Sequence, residues 1–307
     1  MITSYDHVSA SQIKWFNRLV FGDYEFPSHS TMSKIRELDN RLSSEVGWYI
    51  VENNEILSQV CYFIYDIKTI DGPKKTGIPL AVATIHHARS KGYATKLMDK
   101  VHTRMVDQNC SYSILATSKK WKSYDLYKKL GYVEISTIGL LYGELEPFSN
   151  STWSMRDYED KDESQLAKLF NKINKKNLGI VERPINFVTL RTLWKDRIIN
   201  LKILEDDKEM VGYVNLSKFA INEISEFNVI DGYSAIEWLR FMAPGETMIY
   251  PSLHQYKFFS NFSELRSNPS DAVLMVKDLE VDSSEEEILT EIGFKQGKFA
   301  MYSFDRY

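Results

Sequence analysis

The sequence predicts an α/β (α+β) protein made of two successive domains. Three observations carry this. The chain has 307 residues, about two domains' worth at roughly 150 residues each. An almost unbroken apolar run, Ile78 to Ile85, has the look of a strand covered on both faces. It leads into an amphipathic helix whose apolar stripe is Tyr93, Leu97, Met98, Val101 and Met105, with Lys96, Lys100, Thr103 and Asp107 opposite. Finally, the order of helix and strand signals in the first half recurs in the second.

In the first half, Lys14 to Phe21 and Ser33 to Leu42 read as short amphipathic helices. Trp48 to Glu52 is a strand that stops at the turn signal Asn53-Asn54. Leu57 to Ile67, rich in branched and aromatic residues, is a strand closed by Asp71-Gly72-Pro73. The buried strand and amphipathic helix follow. Tyr112 to Thr117 is the next strand. Tyr124 to Leu130 is a helix stopped by Gly131. Tyr132 to Ile135 and Gly139 to Gly143 are two further strands. The polar stretch Pro147 to Thr152 marks the boundary between domains 1–147 and 148–307.

In the second half, Asp162 to Ile173 and Phe187 to Arg197 read as helices. Lys202 to Glu205, Asp206-Asp207 and Met210 to Leu216 form a hairpin. Ala235 to Met242 is a helix, and Met248 to Tyr250 and Ala272 to Lys277 are strands. Ser284 to Ile292 is a helix ended by Gly293, with Glu285-Glu286-Glu287 in its first turn, where the dipole favours acids. Phe299 to Phe304 is a last strand. Three short matches occur in one order. Ile50-Val51-Glu52-Asn53-Asn54 matches Ile203-Leu204-Glu205-Asp206-Asp207. Lys91-Gly92-Tyr93-Ala94 matches Asp231-Gly232-Tyr233-Ser234, and Leu130-Gly131-Tyr132 matches Ile292-Gly293-Phe294. Together they point to two copies of one fold; the alternative is two unrelated α/β domains sharing turn chemistry.

Composition narrows the function. Hydrophobic residues at 43% and charged residues at 26% exclude a disordered chain. A net charge of −4 argues against a nucleic-acid partner. No apolar run reaches the roughly 20 residues that span a bilayer, and the N-terminus lacks a signal-peptide pattern, so no membrane partner is expected. Two cysteines, Cys61 and Cys110, cannot build a disulfide framework or a four-cysteine metal site. They fit a reducing, cytoplasmic setting. The six histidines show no metal-ligand spacing beyond the adjacent His86-His87, and no metal is expected.

Chemistry concentrates between Ile78 and Thr95. A buried strand, a short loop and then Arg89-Ser90-Lys91-Gly92-Tyr93-Ala94 at a helix start make an anion site. The first helical amides have no internal acceptor, the helix dipole adds positive character, and Gly92 and Ala94 admit a ligand close to the backbone. Neither a Rossmann nor a Walker motif is present.

The pattern Arg-x-x-Gly-x-Ala after a buried strand resembles the coenzyme-A signature of the GNAT acetyltransferase superfamily. Leu126-Tyr127-Lys128-Lys129-Leu130-Gly131-Tyr132 is similar to that family's second element, whose tyrosine is the usual general acid. The resemblance implies two tandem GNAT-like domains, each a twisted, mixed, mostly antiparallel sheet flanked by helices. It assigns the backbone of Val82, Ala83 and Thr84 to the pantetheine arm and acyl carbonyl. Arg89, Ser90, Lys91, Gly92, Tyr93, Ala94 and Thr95 would hold the pyrophosphate, Lys122 and Ser123 would touch the cofactor, and Tyr127 would protonate the leaving thiolate. The implied cofactor is acetyl-CoA. Lys120 stands where many members carry Asn, and Gly77 to Ile85 lacks the strand carboxylate that often serves as base. His86 and His87 are assigned to the surface. The base stays open between a water chain, a residue from elsewhere, and none. The Lys119-Lys120-Trp121-Lys122 cluster faces either an acidic cofactor or solvent.

Tandem copies with a degenerate second one resemble the Eis-type branch, here without its C-terminal sterol-carrier-like domain. Val229 and Asp231 take the places of Arg89 and Lys91, and Leu289 the place of Tyr127, so the second copy is expected to complete the fold and wall the acceptor site. Trp238, Tyr250, Tyr256, Phe258 and Phe259 could line that site, with core packing the more ordinary role. The expected function is acetyl transfer from acetyl-CoA to a primary amine of a small molecule or peptide. A non-catalytic acyl-CoA-binding module and an aminoacyl-tRNA-dependent transferase are the alternatives. The sequence leaves the acceptor and the monomer-or-oligomer question open.

Overall fold

Asn53 and Asn54 take left-handed φ values of 48° and 64°, and Asp207 and Lys208 values of 49° and 69°. Paired positive φ is the backbone that two-residue hairpin turns require, and each pair joins two antiparallel strands. They close hairpins β2–β3 (Gly47–Glu52, Glu55–Thr69) and β8–β9 (Leu201–Asp206, Glu209–Lys218). The first of the repeat matches therefore marks equivalent places in the fold. The structure is a computed structural model, and it describes residues 1–22, 27–39, 41, 45–194, 200–218, 220–230, 232–280 and 283–301.

The remaining strands are β1 Ile2–Ser4, β4 Gly72–Thr84, β5 Tyr112–Ser118, β6 Val133–Leu145, β7 Trp153–Asp157, β10 Asn222–Val229, β11 Gly245–Ile249 and β12 Leu265–Asp278. The helices are α1 Ala10–Phe21, α2 His29–Leu38, α3 Tyr93–Asp107, α4 Lys122–Lys129, α5 Glu163–Ile173, α6 Phe187–Leu193, α7 Ala235–Met242, α8 Leu253–Phe259 and α9 Glu285–Glu291. Capping boxes start several of them: Ser9 with Gln12, Ser252 with Gln255 and Ser284 with Glu287.

Among the described residues, twelve strands form one sheet in the order β1-β2-β3-β4-β5-β12-β6-β11-β10-β9-β8-β7. Read from both ends, the order is the same pattern twice, with one exchange. β1 to β5 correspond to β7 to β11, but β12 of the second half lies beside β5, and β6 of the first half lies beside β11. The exchanged strands pair with each other at the centre. Among the strands of the described residues, β4–β5 and β10–β11 are the parallel pairs, as the two-copy reading requires.

The core follows the exchange. The hydrophobic cluster of the first copy includes Val273, Leu274, Met275 and Val276 from β12, and that of the second includes Leu141 and Leu145 from β6. α3 packs on β2, β3 and β4, α1 on β3, and α5 on β9 and β10.

Several expectations shift. The two short strands expected from Tyr132 to Gly143 are one strand, β6, since both its edges have partners. β1, β7, β10 and α8 were not expected. The third repeat match is not structural. In chain order the helix after β11 is α8, so α8 corresponds to α4, and the sixth position of each is Phe258 and Tyr127. Leu289 lies in α9, beyond the exchanged strand. Residues 40 and 42 of the second expected helix, residues 195–197 of the helix expected to end at Arg197, Asp231, and residues 302–304 of the expected last strand lie outside the described residues.

Candidate active site

The site begins with a break in β4. Gln59 of β3 faces Ala83, but Cys61, two residues on, faces Leu80, so β4 carries one extra residue. Ala81, in the bulge, has φ 49°. Its carbonyl accepts a 3.0 Å hydrogen bond from Gln59 Nε2, and Gln59 in turn donates to Asn17 Oδ1 at 2.9 Å. Asn17 and Gln59 are buried polar residues that satisfy each other, so a side-chain chain from α1 holds the bulge.

On its other edge, β4 pairs with parallel β5 at only two positions, Thr76↔Tyr112 and Gly77↔Ser113. Beyond Gly77 the strands part, while β5 continues beside β12. Among the described residues, this edge of β4 has no strand partner at Val82, Ala83 and Thr84. Such an edge can take up an extended ligand bearing amides.

The opened strand runs into the loop expected to bind an anion. Arg89 and Lys91 are exposed, and Arg89 Nε donates to Thr84 O at 3.2 Å. Ser90 and Gly92 are left-handed, at φ 63° and 76°. Gly92 is the N-cap of α3, and no side chain caps the helix. The first amides, those of Tyr93, Ala94 and Thr95, therefore have no helical acceptor. A Cβ built on Gly92 meets nothing within 4 Å, so there is open space over the loop. The Tyr93 hydroxyl donates to Glu52 at 3.0 Å. This donor set and this space fit the diphosphate and pantetheine parts of coenzyme A.

α4 packs on β5, the other wall of the cleft. Ser123 near its start bonds Thr117 at 2.9 Å, and Lys122 is exposed. Tyr127 is 4% exposed, and its hydroxyl makes no hydrogen bond to a described residue. Burial pushes its phenol well above the usual tyrosine value, so the proton stays on it at neutral pH. Its ring meets that of Tyr132 edge-on at 5.7 Å. The Tyr132 hydroxyl bonds Ser113 Oγ at 2.5 Å and His102 Nε2 at 2.9 Å.

Residues 4–135 match the family described as "Acetyltransferase (GNAT) domain". Over those residues the chain is similar to a GNAT acetyltransferase domain. The whole chain also resembles solved GNAT-type structures. The GCN5-related N-acetyltransferase from Anabaena variabilis superposes with TM-score 0.68 at 12% identity, covering 91% of this chain and 73% of that one. The one from Kribbella flavida gives 0.64 at 13%, covering 91% and 72%. Eis1 from Mycobacterium abscessus gives 0.62 at 11%, covering 92% and 74%. At these identities the likeness is one of fold. No curated protein matches the sequence.

Around this cleft, Lys119 bonds Glu134 at 2.6 Å and Lys120 approaches Asp271 at 3.5 Å. Two of that cluster's cations are thus paired with carboxylates of the chain. His86 and His87 are exposed, His87 lying 3.6 Å from Glu55. A cavity of about 360 Å³ on the α1 and α2 side is lined by Tyr5, Ile13, Lys14, Pro27, Leu193 and Trp194 among others. Asn17, which steadies the bulge, also donates to Ile13 O at 2.8 Å. None of the five aromatic residues considered for an acceptor wall lines this cavity. Trp238 and Phe259 are in the core, and Tyr250 and Phe258 are exposed. No helix among the described residues is long and apolar enough to cross a membrane.

In the second copy, β10 carries a bulge between Ile224 and Glu226 that mirrors the one in β4. Its pairing with β11 also ends early, at Ile224↔Ile249. Here, however, Gln255 of α8 donates to Phe227 O at 2.6 Å, so a side chain of the protein itself takes a carbonyl of the diverging strand. Sequence reasoning missed Asn17, Gln59 and Gln255. The available signal was a polar residue inside an apolar run, at Gln59, and an Asn on the apolar face of α1.

Proposed function

We propose that this chain is an acetyl-CoA-dependent N-acetyltransferase that acylates a primary amine of a small molecule or peptide. The observation that carries the reading is the opened edge of β4 running straight into the uncapped amides of α3. In this reading Val82, Ala83 and Thr84 hold the pantetheine arm and orient the acyl carbonyl. Arg89, Ser90, Lys91, Gly92, Tyr93, Ala94 and Thr95 bind the pyrophosphate, with Lys122 and Ser123 at the margin. Bound there, acetyl-CoA supplies a thioester activated for attack by the amine. Backbone N–H groups aimed at the acyl oxygen stabilise the charge that develops on it. Tyr127 keeps its proton and donates it to the departing sulfur.

The amine enters from the cavity beside α1, whose apolar walls include Leu193 and Trp194 from the second half. Its proton leaves through water, or the amine arrives neutral. The second copy does not bind coenzyme A, since Gln255 satisfies a carbonyl in its cleft. Both cysteines are free and buried, in keeping with a cytoplasmic enzyme.

Thiol release in the presence of a panel of amines tests the reading. Tyr127→Phe is expected to lower kcat about 100-fold, the scale of general acid catalysis, with KM for acetyl-CoA within about twofold. Equal turnover by the variant would remove Tyr127 from the mechanism. Tight coenzyme-A binding with no turnover on any amine would favour the non-catalytic alternative.

A further inference from the structure

α4, which carries Tyr127, is eight residues long. A helix that short is not stable by itself, so its position depends on what holds its two ends. At the far end the chain forms a tight cap. Tyr132 N donates to Tyr127 O at 3.0 Å, and Gly131 N donates to Lys128 O at 3.0 Å. Gly131 has φ 87°, as a Schellman turn requires. This leaves the Leu130 carbonyl pointing out of the helix.

That carbonyl accepts a 2.5 Å hydrogen bond from Lys277 Nζ. The ammonium lies so close that a Cβ on Gly131 would stand 3.1 Å from it. A cation at a helix C-terminus also meets the negative end of the helix dipole. Lys277 is on β12, the strand exchanged from the second half. The same strand grips the chain just before α4. Asp271 accepts from Ser118 Oγ at 2.7 Å, and its carbonyl accepts from Lys119 N at 2.8 Å. Between these two clamps β12 pairs with β5 from Ala272↔Ser118 to Asp278↔Tyr112.

We infer that Lys277 is a positioning residue for Tyr127, so that the second half of the chain completes the acyl-transfer site of the first. The inference rests on the reading of Tyr127 as the general acid. Asp271 fixes where α4 begins and Lys277 fixes where it ends. The tyrosine between them is held in register with the sheet by a strand laid down after it in sequence.

The test uses the full-length protein with Lys277→Met, which keeps the aliphatic stem, and Lys277→Arg, which keeps the charge. Lys277→Met is expected to lower kcat about tenfold, with KM for acetyl-CoA within twofold, and Lys277→Arg to recover most of the loss. In a Tyr127→Phe background Lys277→Met should cost nothing further. Amide hydrogen exchange at Leu130, Gly131 and Tyr132 should quicken about tenfold in Lys277→Met while the global melting midpoint moves little. The inference is overturned if kcat is unchanged, if the loss is as large in the Tyr127→Phe background, or if exchange at these amides stays as in the parent. Failure of the underlying reading looks different: Tyr127→Phe alone would then turn over at the parent rate with Lys277 intact.

Discussion

His102, on α3, bonds Tyr132 and sits 9% exposed. Burial first, and the Lys277 ammonium second, push its pKa from 6.5 down to about 4. The folded protein therefore keeps it neutral while the unfolded chain takes up a proton below about pH 6.5. Its contribution to stability is full above that pH and is lost as pH falls toward 4. The total is at most about 3 kcal/mol. Denaturant midpoints measured from pH 7 to pH 4 should fall, and His102→Gln should flatten the fall; an equal slope in the variant would exclude His102 as its source.

Glu226 poses the opposite case. Burial opposes its charge, but the guanidiniums of Arg183, at 2.5 Å, and Arg191, at 3.0 Å, outweigh it and hold the carboxyl below the usual range. Glu226→Gln would remove from the core a buried carboxylate charge that both guanidiniums contact and should cost about 3 kcal/mol by equilibrium unfolding. Tyr127, Gly92 and Arg89 stand out as candidates in the sequence because their motif spacing is local. His102, Lys277 and Glu226 could not, since each takes its meaning from a partner far along the chain.

Among the elements, the start of α3 offers the most direct check. Gly92 holds φ 76° and has open space where a Cβ would go, so Gly92→Ala costs only backbone strain, about 1–2 kcal/mol. Calorimetric affinity for coenzyme A should drop as well, because the added methyl enters the space above the loop. An unchanged affinity would place the diphosphate elsewhere. The hairpins and α3 were legible because turn chemistry and period agree there. β10 was not, because its bulge breaks the alternation and its buried face includes the polar Glu226 and Asn228. α8 hid for another reason. It is seven residues long, too short for its periodicity to register beside Pro251 and a run of aromatics. Within β6, residues 136–138 were expected as a gap before the strand from Gly139, yet the strand runs through, and Tyr256 of α8 lies against Gly139.

For the molecule as a whole, two copies of one α/β fold were legible from length and repeated turn signals. The exchange of β6 and β12 was not, since no local pattern records which strand a given edge will meet. It makes the halves interdependent. Residues 1–147 expressed alone lack the neighbour of β5 and buried residues of their own core, Val273 to Val276 among them. That fragment should be insoluble or lack near-ultraviolet circular dichroism, while co-expression with residues 148–307 should yield a complex that co-purifies. A soluble, cooperatively melting 1–147 fragment would contradict this.

The same exchange imposes a schedule on synthesis. β5 ends at Ser118 and β12 at Asp278, so 160 residues must still be translated after β5 leaves the ribosome before its open edge is covered. At roughly 5–20 residues per second that is about 8–30 s, during which a bare strand edge stands ready to pair with the wrong chain. A nascent chain arrested in this interval is therefore where a ribosome-associated chaperone has most to protect.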